Sequence, residues 1–130
     1  MANEVFIVSG ARTPIGSFMG NLSSFSAPEL ASAAIQKTLD ASSVEADQID
    51  EVLIGNVVSA GLKQAPARQA MRLAGIPDRC GATTINKVCG SGMKATMLAF
   101  DLIRSGSADT VLSGGMESMS NAPYLLANAR

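Results

Sequence analysis

Short apolar runs alternate with helical stripes along the whole chain, and this alternation restricts the fold more than any other feature. Glu4–Ser9 is a β-branched run stopped by Gly10, and it predicts a strand buried on both faces. Glu51–Ser59, Thr83–Val88 and Asp109–Gly114 predict three more strands. Between them lie three helical segments. Pro28–Asp40 carries Leu30, Ala34, Ile35, Thr38 and Leu39 at helical spacing. Ala65–Ala74 opens on Pro66 and ends at Gly75-Ile76-Pro77, and Gly90–Arg104 closes at Ser105-Gly106. Ala11–Asn21, with Pro14, Gly16 and Gly20, reads as a loop, and Ser118–Arg130 shows no clear pattern. The order β-α-β-α-β-α-β predicts an α/β fold with a mostly parallel sheet, helices on its faces and right-handed crossovers.

The third helix stands apart. Met93, Ala95, Met97, Leu98, Ala99, Phe100, Leu102 and Ile103 surround its axis, and Lys94, Asp101 and Arg104 fall on one narrow stripe. A helix apolar nearly all round is a buried helix. A domain of 130 residues has few places to bury one, so the pattern predicts further layers over it, from more chain or from a partner. The same expectation accounts for an oily composition, 47% hydrophobic and 16% charged, with a mean hydropathy of +0.23. That charge content excludes a solvating, disordered chain. No apolar run approaches the roughly 20 residues of a membrane span. With ten basic and eleven acidic residues there is no footprint for nucleic acid. The N-terminus lacks the basic and apolar regions of a signal peptide. Two cysteines without Cys-x-x-Cys spacing, and no histidine, predict neither a disulfide framework nor a metal site, and a reducing cytoplasm is the expected location.

Chemistry concentrates where the third strand meets the third helix, Thr83-Thr84-Ile85-Asn86-Lys87-Val88-Cys89-Gly90-Ser91-Gly92-Met93-Lys94-Ala95. Ligands of open α/β sheets bind beyond the carboxyl ends of strands. A thiol at a first helical turn meets free backbone N–H groups and the positive end of the helix dipole, which favour the thiolate and can hold an oxyanion. Gly90 and Gly92 leave room for an acyl group. Cys89 is therefore the candidate nucleophile for acyl transfer to sulfur. The bland alternative is that a free cysteine fills space; for Cys80, in the ordinary loop Asp78-Arg79-Cys80-Gly81, that reading is kept. Gly90-Ser91-Gly92-Met93-Lys94-Ala95 also matches G-x-G-x-x-A, but it follows the third strand rather than the first and lacks an acidic residue at the end of the next strand, which argues against dinucleotide binding. Glu117, in Gly114-Gly115-Met116-Glu117-Ser118-Met119-Ser120, is either a buried carboxylate that orders its loop or a solvated residue of a glycine turn. Arg12 could face the same end of the sheet, although a solvated or ion-paired arginine is the simpler account. Arg68-Gln69 could cross a subunit contact, although a surface face is simpler. Met71, Met93 and Met97 read as core fillers.

Ile85–Ala95 resembles the acyl-enzyme signature of thiolases. Gly10–Phe18, Gln64–Gln69 and Gly114–Ser120 also resemble thiolase segments, in the family's order, and the resemblance covers essentially the whole chain. It implies a thiolase-like layered α/β fold in which residues 1–117 are an incomplete N-terminal domain with a buried central helix and residues 118–130 begin a loop domain. It implies that Cys89 is acylated by acetyl-CoA with release of CoA. A second acetyl-CoA then loses an α-proton and attacks the thioester to give acetoacetyl-CoA, thiolysis being the reverse, and the Cys89 N–H helps to form an oxyanion hole. No cofactor is implied beyond the coenzyme A thioester, which is substrate. Partners would be the remainder of a thiolase chain or other subunits, in a homotetramer or homodimer. The family's downstream histidine, second catalytic cysteine and Asn-Glu-Ala-Phe segment have no counterpart here, and Thr96 stands where an aliphatic residue is usual. The chain thus reads as an N-terminal thiolase segment, unable to complete turnover by itself. Two other readings stay open: a β-ketoacyl condensing enzyme acting on carrier-bound chains, and a catalytically silent assembly module that pairs through its apolar surface.

Overall fold

The computed structural model describes residues 4–130. Three strands, β1 (Glu51–Gly55), β2 (Gly81–Ile85) and β3 (Val111–Gly115), form one parallel sheet in the order β2-β1-β3. Glu51 lies opposite both Gly81 and Val111, and Gly55 opposite both Ile85 and Gly115, so all three strands end together at one edge. Helices α1 (Ala27–Asp40) and α2 (Pro66–Leu73) cover one face and α3 (Ser91–Ser105) the other.

The central strand β1 shows how sequence builds these layers. Val52 and Ile54 point one way, into a core with Ala31, Ile35, Ala70 and Met71; Leu53 points the other way, against Ala95 and Ala99 of α3. Small residues at 95 and 99 let α3 lie close to the sheet. Ser26 and Glu29 staple the start of α1, the Glu29 carboxylate accepting from the Ser26 N–H and hydroxyl at 2.7 Å. Gly106 ends α3 at φ +74°, a conformation that costs glycine little. Thr96, the unusual residue, finds polar partners at the sheet: its hydroxyl lies 3.3 Å from the Gly92 carbonyl and 3.1 Å from the Ser113 hydroxyl.

The helices match expectation to within one residue at each end. The strands differ, and two of them are cut back by carboxylates far along the chain. β3 starts at Val111 rather than Asp109 because the Asp50 carboxylate takes the N–H groups of Asp109 and Thr110, at 2.8 and 2.9 Å. These bonds, Thr110 first, hold the Asp50 carboxyl below its ordinary range. β2 lies two to three residues earlier than predicted, and β1 stops at Gly55 instead of running to Ser59.

Glu4–Ser9 is not a strand, and its expected burial is corrected. Phe6 is 73% and Ile7 89% exposed. Val5–Ser9 and Thr110–Ser113 both line a cleft of about 300 Å3, so a gap rather than a hydrogen-bonded ladder separates this run from β3. Within the described residues α3 lacks the further layers that its pattern calls for. Only Ser91, Ala95 and Ala99 are buried along it, while Met93 (70%), Met97 and Phe100 are exposed. Within the described residues nothing covers its outer face. An open apolar face of this kind drives association. The protein is expected to self-associate, and sedimentation velocity should show species heavier than 13.3 kDa that grow with concentration. A single 13.3 kDa species with a sharp cooperative melt would contradict this.

Candidate active site

The turn from β2 to α3 is built by short-range hydrogen bonds. Asn86 Oδ1 accepts from the Val88 N–H at 3.0 Å. Ser91, buried at the first position of α3, closes the turn from the other side: its hydroxyl accepts from the Lys87 N–H at 2.8 Å and donates to the Val88 carbonyl at 2.6 Å. The Gly90 and Ser91 N–H groups return to the Lys87 and Val88 carbonyls. Held between them, Val88 adopts φ +49°. A β-branched residue in the left-handed region costs roughly 1–3 kcal/mol, and such strain collects at functional turns. Its effect is to set the next residue, Cys89, out at the tip of the turn, where it is exposed.

Cys89 lines an open cleft of about 580 Å3 at the carboxyl edge of the sheet, together with Val57, Val58, Val88, Met116 and Glu117. The close fit of the three strand ends against the start of α3 creates this edge. Gly55 approaches so near that a Cβ there would sit 2.7 Å from the Gly92 nitrogen. Beyond β1, the chain leaves the ladder because a carboxylate captures it. Glu117 accepts from the Val57 N–H through Oε2 and from the Val58 N–H through Oε1, each at 3.0 Å. Oε1 also accepts from Asn56 Nδ2 at 2.7 Å. Glu117 is thus the half-buried carboxylate that orders a loop, although that loop is the exit of β1 as much as its own.

Among the other predicted residues, Arg12 is exposed and is not part of the Cys89 cleft. Arg68 and Gln69 hold their own chain together: Arg68 donates to the Cys80 and Asp78 carbonyls, and Gln69 to those of Leu62 and Gln64. Met71 is fully buried, as a core filler should be, whereas Met93 and Met97 are not. Cys80 is 2% exposed; burial, and then the nearby Glu51 carboxylate, push its thiol up from the ordinary range. The two thiols therefore differ as sequence setting predicted, one sealed in the core and one at the tip of a turn. Three contributors escaped the sequence reading. Val88 and Ser91 had a signal in the Asn-x-Val spacing and in a serine at the opening of a helix; Asn56 had none. No cluster of His, Cys, Asp and Glu that could hold a metal ion occurs among the described residues. Nor is any helix there long and apolar enough to cross a membrane.

Residues 5–130 match the model of the thiolase N-terminal domain. The chain is 52% identical over 125 residues to the mitochondrial acetyl-CoA acetyltransferase of Danio rerio, covering 96% of this chain and 30% of that protein. It is 51% identical over 132 residues to the cytosolic acetyl-CoA acetyltransferase ERG10 of Gibberella zeae, covering 100% and 33%. The fold is similar to the crystal structure of Acat5 thiolase from Ascaris suum in complex with coenzyme A, with a TM-score of 0.91 and 40% identity over 94% of this chain and 32% of that one. The chain thus spans about a third of the length of the curated relatives it matches.

Proposed function

Because this chain belongs to the thiolase family, we propose that Cys89 is a nucleophile and acyl carrier, and that these residues supply the first half of an acetyl transfer between coenzyme A thioesters. One observation carries the reading: the sole exposed cysteine of the chain stands on a strained turn, at the mouth of a helix, in a cleft at the carboxyl edge of a parallel sheet. The relatives are acetyl-CoA acetyltransferases, and a similar thiolase binds coenzyme A.

In this reading the Cys89 sulfur, as thiolate, adds to the carbonyl carbon of acetyl-CoA. The tetrahedral intermediate collapses with cleavage of the bond to the CoA sulfur, and CoA leaves, taking up the proton that Cys89 gave to solvent. One thioester replaces another, so the step is close to balanced and reversible. Carbon–carbon bond formation then requires a base to remove an α-proton from a second acetyl-CoA. The chain holds no histidine, and buried Cys80 is not available for the task. We therefore assign the chain the acyl-carrier role, in residues 1–117, with residues 118–130 opening a loop domain.

The test is intact mass measurement after incubation with acetyl-CoA. A single acetyl group should appear, map to the Cys89 peptide, and be released by neutral hydroxylamine, which cleaves thioesters and spares amides. No adduct, or a hydroxylamine-stable one, overturns the reading.

A further inference from the structure

The carboxylate of Glu117 joins two segments that lie 60 residues apart in sequence. It sits two residues beyond the end of β3 and binds the three donors that follow β1: Asn56 Nδ2, Val57 N–H and Val58 N–H. A neutral side chain would serve these donors poorly. All three present hydrogens, and an ionised carboxylate is acceptor-only, with lone pairs enough for each. A glutamine of the same shape would turn an NH2 group toward at least one of them.

Asn56 shows how firmly the arrangement is set. It is 2% exposed, its N–H still completes the ladder by donating to the Ile85 carbonyl at 2.9 Å, and its amide donates to Glu117 and, at 3.3 Å, to the Met116 carbonyl. Its Oδ1 is buried with no hydrogen-bond partner among the described residues. Both donor hydrogens of the amide are committed to the β3 exit, which fixes it in this orientation.

Val57, Val58, Met116 and Glu117 line the cleft that Cys89 also lines. From this geometry we infer that Glu117 is a positioning residue for acyl transfer: its carboxylate, through Asn56 and the Val57–Val58 backbone, fixes the wall against which an acyl group on Cys89 is placed. The inference rests on the acyl-carrier reading of Cys89. The partners of the Glu117 carboxylate are Asn56, Val57 and Val58, so it acts through the wall.

The test uses wild-type protein and Glu117→Gln. In wild type, the Val57 and Val58 amides should exchange with deuterium at least about 100-fold more slowly than free peptide, although both lie outside any strand. In Glu117→Gln they should exchange about tenfold faster than in wild type, the effect expected when a charge-assisted bond is lost. Acetylation of Cys89 by acetyl-CoA should slow about tenfold, while its alkylation by iodoacetamide stays within about twofold, because the thiol itself is untouched. Cys80 should stay unalkylated in both proteins. Unchanged acetylation and exchange in the variant overturn the inference, as does an equal fall in acetylation and alkylation. If Cys80 becomes reactive, the variant has unfolded, and wild-type exchange decides: rapid exchange at Val57 and Val58 overturns the inference and slow exchange upholds it. If wild-type Cys89 takes no acetyl group, the acyl-carrier reading fails, and the effect of the variant on exchange alone decides whether Glu117 fixes the wall.

Discussion

Cys89→Ala is expected to abolish acetylation of the protein by acetyl-CoA completely, not merely to slow it. A partial loss would require another acceptor, and the only other thiol is ill suited. Cys80 is 2% exposed, so a thioester cannot reach it without local unfolding. Burial also disfavours its thiolate, and the Glu51 carboxylate adds to that effect. Cys89→Ser is a finer probe. It keeps the turn and the shape but replaces the sulfur by a hydroxyl, a weaker nucleophile that needs an adjacent base. With no histidine in the chain, acetylation should fall at least about 100-fold. Intact mass and peptide mapping check both variants. Undiminished acetylation of Cys89→Ala, located on Lys87 or Lys94 beside the turn, would show that acetyl-CoA reacts here as a general acylating agent and would end the acyl-carrier reading. Retained Cys80 protection from iodoacetamide in the same samples shows that the fold has survived the substitution.

What was legible in the sequence was whatever short-range chemistry decides. The helices came out to within one residue because proline, glycine and apolar spacing act over a single turn. The three parallel strands and the exposed setting of Cys89 came from the same kind of signal. What sequence concealed depends on partners far along the chain. Nothing in Asn56-Val57-Val58 announces that the strand must stop there; a carboxylate about 60 residues away takes its backbone N–H groups. Nothing in Asp109-Thr110 shows that Asp50 has claimed their donors. Glu4–Ser9 has the composition of a buried strand, and composition records a preference for cover rather than the presence of a neighbour. Across a cleft from β3 it has no ladder to join. The pattern of α3 is the same case on a larger scale: its residues demand burial all round, and the described residues bury one stripe. In the site itself, the exposure of Cys89 agrees with its setting at a strand-to-helix turn, whereas the strain at Val88 and the clamp by Ser91 are conformational facts that residue types only hint at.

Gly55→Ala should be the most damaging single-methyl change in the molecule, and its damage should fall on the site. Gly55 ends β1 between Ile85 and Gly115, directly beneath the start of α3. A Cβ on it would lie 2.7 Å from the Gly92 nitrogen, the Ser91 carbonyl carbon and the Ser91 Cβ. Two of these are backbone atoms and cannot step aside as a side-chain tip can. The strand or the helix must therefore move, and the helix start is where the Ser91 hydroxyl clamps the strained turn before Cys89. Overpacking of this kind costs about 1–3 kcal/mol, which for a domain of this size lowers Tm by roughly 5–15 °C. Gly81→Ala is the control. Its added methyl would meet only the carboxylate of Glu51, the end of a flexible side chain, which can swing away at the expense of its 3.2 Å bond to the Thr83 hydroxyl. Gly10→Ala would meet nothing within 4 Å. Thermal melts of the three variants, run beside Cys89 acetylation rates, separate the cases. Gly55→Ala should melt lowest and acetylate slowest, because the same displacement loosens the fold and shifts the sulfur. If it melts within about 1 °C of wild type, against the overpacking cost expected here, β1 and α3 do not pack as closely as described, and the turn that presents Cys89 is not braced from below.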